Sequence, residues 1–141
     1  MIIMSVDLGE ARTGIAVCDK SETIASPVKV ISEYNAEKRL SKVAETATEL
    51  KAELIVVGLP KNMDGSEGER AKICREFSAA LGEKLGVKVD LCDERVTTML
   101  AHTYLSITNV KGRKRKNNVD AVSAVIILEN YLSMRKNSTN F

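Results

Sequence analysis

The sequence predicts an α/β fold: a five-stranded mixed sheet in spatial order 3-2-1-4-5, strand 2 antiparallel to the rest, with helices on both faces. Three observations lead there. Three short β-branched runs succeed one another within the first 31 residues, and their connections are too short for crossovers, so they form an antiparallel meander. The apolar period then lengthens to that of a helix. From Leu54 onward, short apolar runs alternate with helical stripes, as βαβ units require. Short connections and right-handed crossovers leave a meander plus two such units few other arrangements.

Residues 2–8 read as a buried strand ended by Gly9, and residues 13–18 as a second, joined to it by a turn through Gly9, Glu10, Ala11 and Arg12. Pro27 falls within the third run, residues 24–31, and its missing N–H assigns that strand to an edge. Leu40, Val43, Ala44 and Ala47 recur at helical spacing, with Glu and Lys on the other face. Residues 54–57 are a fully apolar strand leading into Gly58, Leu59 and Pro60. Ser66 and Glu69 stand in capping-box spacing before a stripe of Ala71, Cys74, Phe77, Leu81 and Leu85, which Gly86 ends. Residues 87–91 make the fifth strand and residues 97–105 a short helix. Asn117 or Asn118 can cap a last helix that runs to about Met134 and is apolar at Val122, Val125, Ile126 and Leu128.

Composition narrows the class. A chain of 141 residues has room for one domain, spanning 1–141, and no repeat or low-complexity linker divides it. With 44% apolar residues but no Trp, the core must be built mainly from Val, Ile, Leu and Ala. The longest strongly apolar run, residues 124–128, is far too short to span a bilayer, and Asp7 follows the N-terminal Met1 too soon for a secretory signal. Cys18, Cys74 and Cys92 are odd in number, widely spaced and without a CxxC pair, so they read as reduced, buried thiols of a cytoplasmic protein. His102 is the sole histidine, which argues against a zinc hydrolase. No Gly-x-x-x-x-Gly-Lys-Ser/Thr or Gly-x-Gly-x-x-Gly occurs, so no nucleotide cofactor is expected.

The net charge of +2 conceals an asymmetry. Residues 111–141 carry seven Lys or Arg against Asp120 and Glu129, a balance of +5, which leaves the first 110 residues at −3. The excess lies in Lys111, Arg113, Lys114, Arg115 and Lys116, a run that reads as a loop before the Asn117–Asn118 cap. Such a run either contacts phosphates or is simply solvated.

Three carboxylates compete for the chemistry. Asp7 ends the first strand, and a carboxylate in an apolar strand needs a partner, a metal or an Asx turn. Asp93, Glu94 and Arg95 lie just past the fifth strand, where an ordinary surface turn would also place them. Asp120 falls in the first turn of the last helix, where the dipole alone would favour it. Together they say more. Asp7 and Glu94 follow strands that can run parallel, so both emerge at the edge where open α/β sheets bind ligands. The helix bearing Asp120 can pack over that edge, directly after the basic run. Three carboxylates beside a cationic segment suit Mg²⁺ or Mn²⁺ and a polyanion, because hard cations take oxygen ligands and complete their shell with phosphate oxygens. Two such ions can activate water and stabilise the leaving oxygen of a phosphodiester.

Four ordered blocks carry a resemblance: Asp7-Leu-Gly-Glu-Ala-Arg-Thr-Gly-Ile-Ala16, Val57-Gly-Leu-Pro-Lys-Asn-Met-Asp-Gly65, Asp93-Glu-Arg-Val-Thr-Thr98 and Asn118-Val-Asp-Ala-Val122. They resemble the YqgF/RuvX family, described as Holliday junction resolvases or as nucleases that mature the 5′ end of pre-16S rRNA. The resemblance covers nearly the whole chain and departs mildly, with Val96 where Leu is frequent and Ser123 where a small apolar residue is usual. It implies an RNase H-like fold, a cytoplasmic setting and metal-dependent phosphodiester hydrolysis with Mg²⁺ or Mn²⁺. Asp7, Glu94 and Asp120 match its acidic positions as catalytic residues and metal ligands. Arg12, Arg95, Lys111, Arg113, Lys114, Arg115 and Lys116 are the candidate contacts to structured RNA or branched DNA. A protein that keeps the fold and binds nucleic acid without cleaving it is the alternative. An actin-like phosphotransferase would need two lobes, and 141 residues supply one.

Overall fold

The computed structural model describes residues 1–62, 64–93 and 112–139, with the side chains of residues 122–136 in the last segment. Its strands are β1 (Ile3–Asp7), β2 (Arg12–Cys18), β3 (Ala25–Ser32), β4 (Leu54–Leu59) and β5 (Lys88–Asp93). Its helices are α1 (Ala36–Leu50), α2 (Glu69–Leu85) and α3 (Gly112–Thr139). The sheet order is β3-β2-β1-β4-β5, the arrangement expected from the sequence. The β1–β2 and β2–β3 pairs are antiparallel, and the β1–β4 and β4–β5 pairs are parallel.

Burial explains the order. Ile3, Met4, Ser5 and Val6 of β1 are fully buried, and β4 is buried along its whole length, as central strands covered on both faces must be. β3 is mostly exposed or half-buried at the edge, with only Ile31 buried, and Pro27 sits where its pairing with β2 slips between Ile15 and Ala16. A residue that cannot donate to the ladder is tolerated at such an irregularity.

Period-2 alternation sorts the strand residues into two cores. Met4, Val6, Ile15, Ile55 and Val57 face α1 and α2, meeting Val43, Ala47, Phe77 and Leu81. Ile3, Ala16, Cys18, Val56 and Cys92 face α3, meeting Ala124, Ile127, Leu128 and Tyr131. Cys18, Cys74 and Cys92 are buried and form no disulfide, as anticipated.

Two expectations are corrected. The basic run was expected as a loop before a helix capped at Asn117 or Asn118, yet α3 begins at Gly112. Arg113, Lys114, Arg115 and Lys116 therefore occupy its first turns, because Lys and Arg are good helix formers and Asn is tolerated inside a helix. Asp120 consequently stands in the third turn, too far in for a role at the helix terminus. The capping box also fails: the N-cap of α2 is Gly68, with no side-chain bond. Ser66 instead gives its hydroxyl and its N–H to the Asp64 carboxylate, at 2.6 and 2.9 Å, a local turn that competes with capping. The expected helix over residues 97–105, His102 included, lies outside the described residues.

Candidate active site at the carboxyl end of the sheet

Asp7 is the last residue of the central strand, half-buried. Ile3 packs toward α3, and Ser5 reaches the same helix, so alternation puts Asp7 on the α3 face at the open end of β1. Its cross-strand partner on β2 is Gly14. On β4, Val57 pairs with Val6, and the next residue is Gly58. Within the sheet, Asp7 is thus flanked on both sides by positions without a side chain, where a ligand can approach the backbone closely.

The turn after Asp7 is tightly held. A Cβ on Gly9 would lie 2.1 Å from the Arg12 carbonyl oxygen, so only glycine fits. From α2, Arg70 Nη2 donates to the Leu8 carbonyl at 2.7 Å. From α1, the buried Arg39 donates through Nη1 to the Glu10 carbonyl at 3.0 Å, and the Glu33 N–H donates to the Ala11 carbonyl at 2.9 Å. Two guanidinium groups from two helices thereby fix carbonyls on either side of Gly9. Charge-assisted bonds of this kind are about twice as strong as neutral ones.

α3 is placed by a chain of polar contacts. The Ser5 hydroxyl donates to the Ala124 carbonyl at 2.6 Å in a fully buried contact. Further along, the Tyr131 hydroxyl donates to the Asp90 carboxylate on β5. Arg135 donates through Nε to Glu22 at 2.9 Å, and Glu22 also accepts from the Met1 amino group at 3.1 Å. Burial, reinforced by Asp90, pushes the Tyr131 phenol up to about 12. The Arg135 hydrogen bond, against a smaller effect of burial, holds the Glu22 carboxyl below its ordinary value. Because Glu22 lies beside Met1 at the start of β1, α3 runs opposite to β1, and its earlier turns lie toward Asp7. Asp120 is four residues, about 6 Å along the helix axis, before Ala124. Asp7 is two residues, about 6.7 Å, beyond Ser5 in the same direction.

The structure therefore brings the backbone positions of Asp7 and Asp120 to one end of one face. Arg12 begins β2 at that end, half-buried. Glu94, Arg95 and Lys111 lie outside the described residues, as do the side chains of Arg113, Lys114, Arg115, Lys116 and Asp120. Asp93, expected past the fifth strand, is instead its last residue. Among the described residues no group of three His, Cys, Asp or Glu side chains could hold a metal ion. The donor set Asp7, Glu94 and Asp120 is nevertheless all carboxylate and suits a hard divalent cation, with Asp7 at the open edge where such an ion would need water and substrate oxygens. Sequence reasoning missed Ser5, Arg39 and Arg70. Only Ser5, a hydroxyl inside an apolar strand, left a signal.

The family model "RuvX: Holliday junction resolvase" matches residues 1–134. A Chloroflexus aurantiacus protein named "Putative pre-16S rRNA nuclease" is 34% identical over 139 residues, covering 99% of this chain and 91% of its own. A Clostridium botulinum protein of the same name is 38% identical over 132 residues, covering 94% and 96%. In fold, the chain is similar to T. thermophilus RuvC bound to a Holliday junction substrate, with a TM-score of 0.64 at 14% identity over 95% of this chain and 96% of that one. It is also similar to Fowlpox virus resolvase bound to Holliday junction DNA, with a TM-score of 0.62 at 14% identity, covering 95% and 98%. With a family match across nearly its whole length and relatives more than a third identical end to end, the chain belongs to the RuvX family.

Proposed function

We propose that this protein is a metal-dependent endonuclease that hydrolyses phosphodiester bonds in structured RNA, in 5′-end maturation of pre-16S rRNA, with Asp7, Glu94 and Asp120 as its catalytic carboxylates. The observation that carries the reading is Asp7 at the open end of the central strand, between Gly14 and Gly58 and level with the turn of α3 that bears Asp120. The names of the relatives supply the substrate. Branched DNA is the second reading, favoured by the fold shared with resolvases bound to Holliday junctions. Ribosomal RNA as substrate would place the protein in the cytoplasm, and no helix among the described residues is long and apolar enough to cross a membrane.

Asp7, Glu94 and Asp120 would hold Mg²⁺ or Mn²⁺. Such an ion, when bound, lowers the pKa of attacking water and stabilises charge on the leaving oxygen. The chain itself supplies position and affinity. The clamped turn after Asp7 keeps its carboxylate at the edge of the sheet. Arg12, Arg95 and the cations Lys111, Arg113, Lys114, Arg115 and Lys116 bind phosphates on either side of the scissile bond.

The test offers pre-16S rRNA and a four-way DNA junction side by side, with Mg²⁺, Mn²⁺ or EDTA. Asp7→Asn should keep the fold and remove an anionic metal ligand worth several kcal/mol, so that cleavage falls by about a thousandfold or more. Wild-type cleavage rates in Asp7→Asn, or full activity in EDTA, would refute the mechanism. Preference for the junction over the RNA would select the second reading.

A further inference from the structure

We propose that Ser5 is a positioning residue: its bond to the Ala124 carbonyl sets the register of α3 against β1, and with it the spacing of Asp7 and Asp120. The inference rests on the reading of these two carboxylates as metal ligands. Around Ser5 the α3–β1 contact is made by Ile3, Ala124, Ile127 and Leu128. Apolar contact of this kind is non-directional and tolerates small slips of a helix along a strand. Ser5 is fully buried, and among the described residues the other buried polar side chains, Thr13, Arg39, Thr46 and Ser78, come from β2, α1 and α2. Its hydroxyl meets the second lone pair of a carbonyl inside the helix, joining residues 119 apart in sequence at 2.6 Å. A one-residue slip displaces that carbonyl by about 1.5 Å along the helix axis and strands the hydroxyl in an apolar surround. The bond therefore resists slips of less than a helical turn.

That register is the one the site needs. Asp7 follows Ser5 by two residues on the same strand face, and Asp120 precedes Ala124 by one helical turn on the same helix side. The Ser5–Ala124 contact is thus one step behind the pair of carboxylates, measured along both elements. At the far end the Tyr131–Asp90 and Arg135–Glu22 contacts hold α3 to β5 and the β2–β3 turn, so Ser5 controls the end nearest the site.

Calorimetric titration of Mn²⁺ into the protein without nucleic acid tests this in wild type, Ser5→Ala, Ser5→Thr and Asp7→Asn, with thermal melting to verify folding. Loss of a group that orients a ligand typically weakens metal binding by 10–100-fold, so Ser5→Ala should bind Mn²⁺ roughly tenfold more weakly. The Mn²⁺ concentration for half-maximal cleavage of the four-way junction or pre-16S rRNA should rise in parallel, while nucleic-acid affinity in EDTA stays at the wild-type level. Ser5→Thr keeps the hydroxyl and should recover most of the loss. A folded Ser5→Ala with wild-type Mn²⁺ affinity overturns the proposal, and so does equal weakening in Ser5→Ala and Ser5→Thr, which would mark a volume effect. Should Ser5→Ala fail to fold, Ser5→Cys replaces it as a slightly larger side chain with a much weaker donor, and wild-type Mn²⁺ affinity there is equally fatal. If Asp7→Asn takes up Mn²⁺ as wild type does, the carboxylate site itself falls and this proposal with it.

Discussion

A single methyl group added at Gly9 would land 2.1 Å from the Arg12 carbonyl oxygen, backbone that cannot rotate away. The turn after Asp7 would have to open, against the bonds from Arg39 and Arg70 that hold it. Forced overpacking costs about 1–3 kcal/mol, so Gly9→Ala should lower the melting temperature and also displace Asp7 from the edge of the sheet. Gly68→Ala is the matched control: nothing lies within 4 Å of the added atom, and its φ of −100° is open to any residue. Because Gly68 is the N-cap of α2, where Ala is disfavoured, the lost cap preference offsets the gain from reduced unfolded-state entropy, and that variant should stay within about 1 kcal/mol of wild type. Thermal melts and Mn²⁺-dependent cleavage of both variants decide the matter, and a Gly9→Ala protein that cuts at the wild-type rate would show that the turn does not position Asp7. The sequence already marked Gly9 as a turn residue, because a glycine after an apolar strand has few other uses. Arg39 and Arg70 left no such trace. Their partners are backbone carbonyls 29 and 62 residues away, and a carbonyl carries no side-chain signature.

α3 behaves as two different halves. Its C-terminal half is pinned by Tyr131 and Arg135, and the Tyr131 phenol is raised to about 12 by burial and by Asp90. An unfolded tyrosine ionises near 10, so between about pH 10 and 12 the unfolded chain has lost a proton that the folded one retains. The stability contributed by this group is therefore complete below pH 10 and is lost as the pH rises toward 12. Tyr131→Phe should be less stable than wild type at neutral pH, and the gap should narrow across that window in denaturant melts. A constant gap would contradict the assignment. The N-terminal half carries Arg113, Lys114, Arg115 and Lys116 in consecutive helical positions, next to the positive end of the dipole. Replacing Arg113, Lys114 and Arg115 by Ala should leave thermal stability unchanged or slightly improved, since like charges and the dipole no longer oppose one another. If these cations bind phosphates, the slope of log affinity against log salt should flatten by about one unit for each phosphate left without its cation. Coincident slopes would place the phosphate-binding surface elsewhere. The start of this helix was illegible because Asn117 and Asn118 look like caps, yet the helix begins at Gly112 and runs through them.

At the scale of the molecule, the sheet was readable because the buried strands β1, β2 and β4 leave short apolar runs in the sequence, and short connections with right-handed crossovers leave few orders for them. The site was readable only in outline. Asp7 stands out as a charge in an apolar run, whereas the convergence of Asp7 with Asp120 depends on how a helix far along the chain crosses β1, which periodicity does not encode. The architecture also dictates how the fold responds to metal. If Asp7, Glu94 and Asp120 form the proposed metal site, their carboxylates repel one another without a cation, and only the folded chain brings them together. Binding confined to the folded state stabilises it by mass action, about 2.7 kcal/mol at a hundred times the Kd. With an unfolding entropy of roughly 2.1 cal/mol/K per residue, that corresponds to about 9 °C in melting temperature for this chain. Mn²⁺ should therefore raise the Tm of wild type in a concentration-dependent way, EDTA should reverse the shift, and Asp7→Asn should remove most of it. Asp7→Asn also relieves part of the repulsion, so in EDTA it should melt at or above the wild-type temperature. A shift of equal size in both proteins would mean that Mn²⁺ binds to surface carboxylates away from the end of β1, and the reading of this edge as a metal site would have to be abandoned.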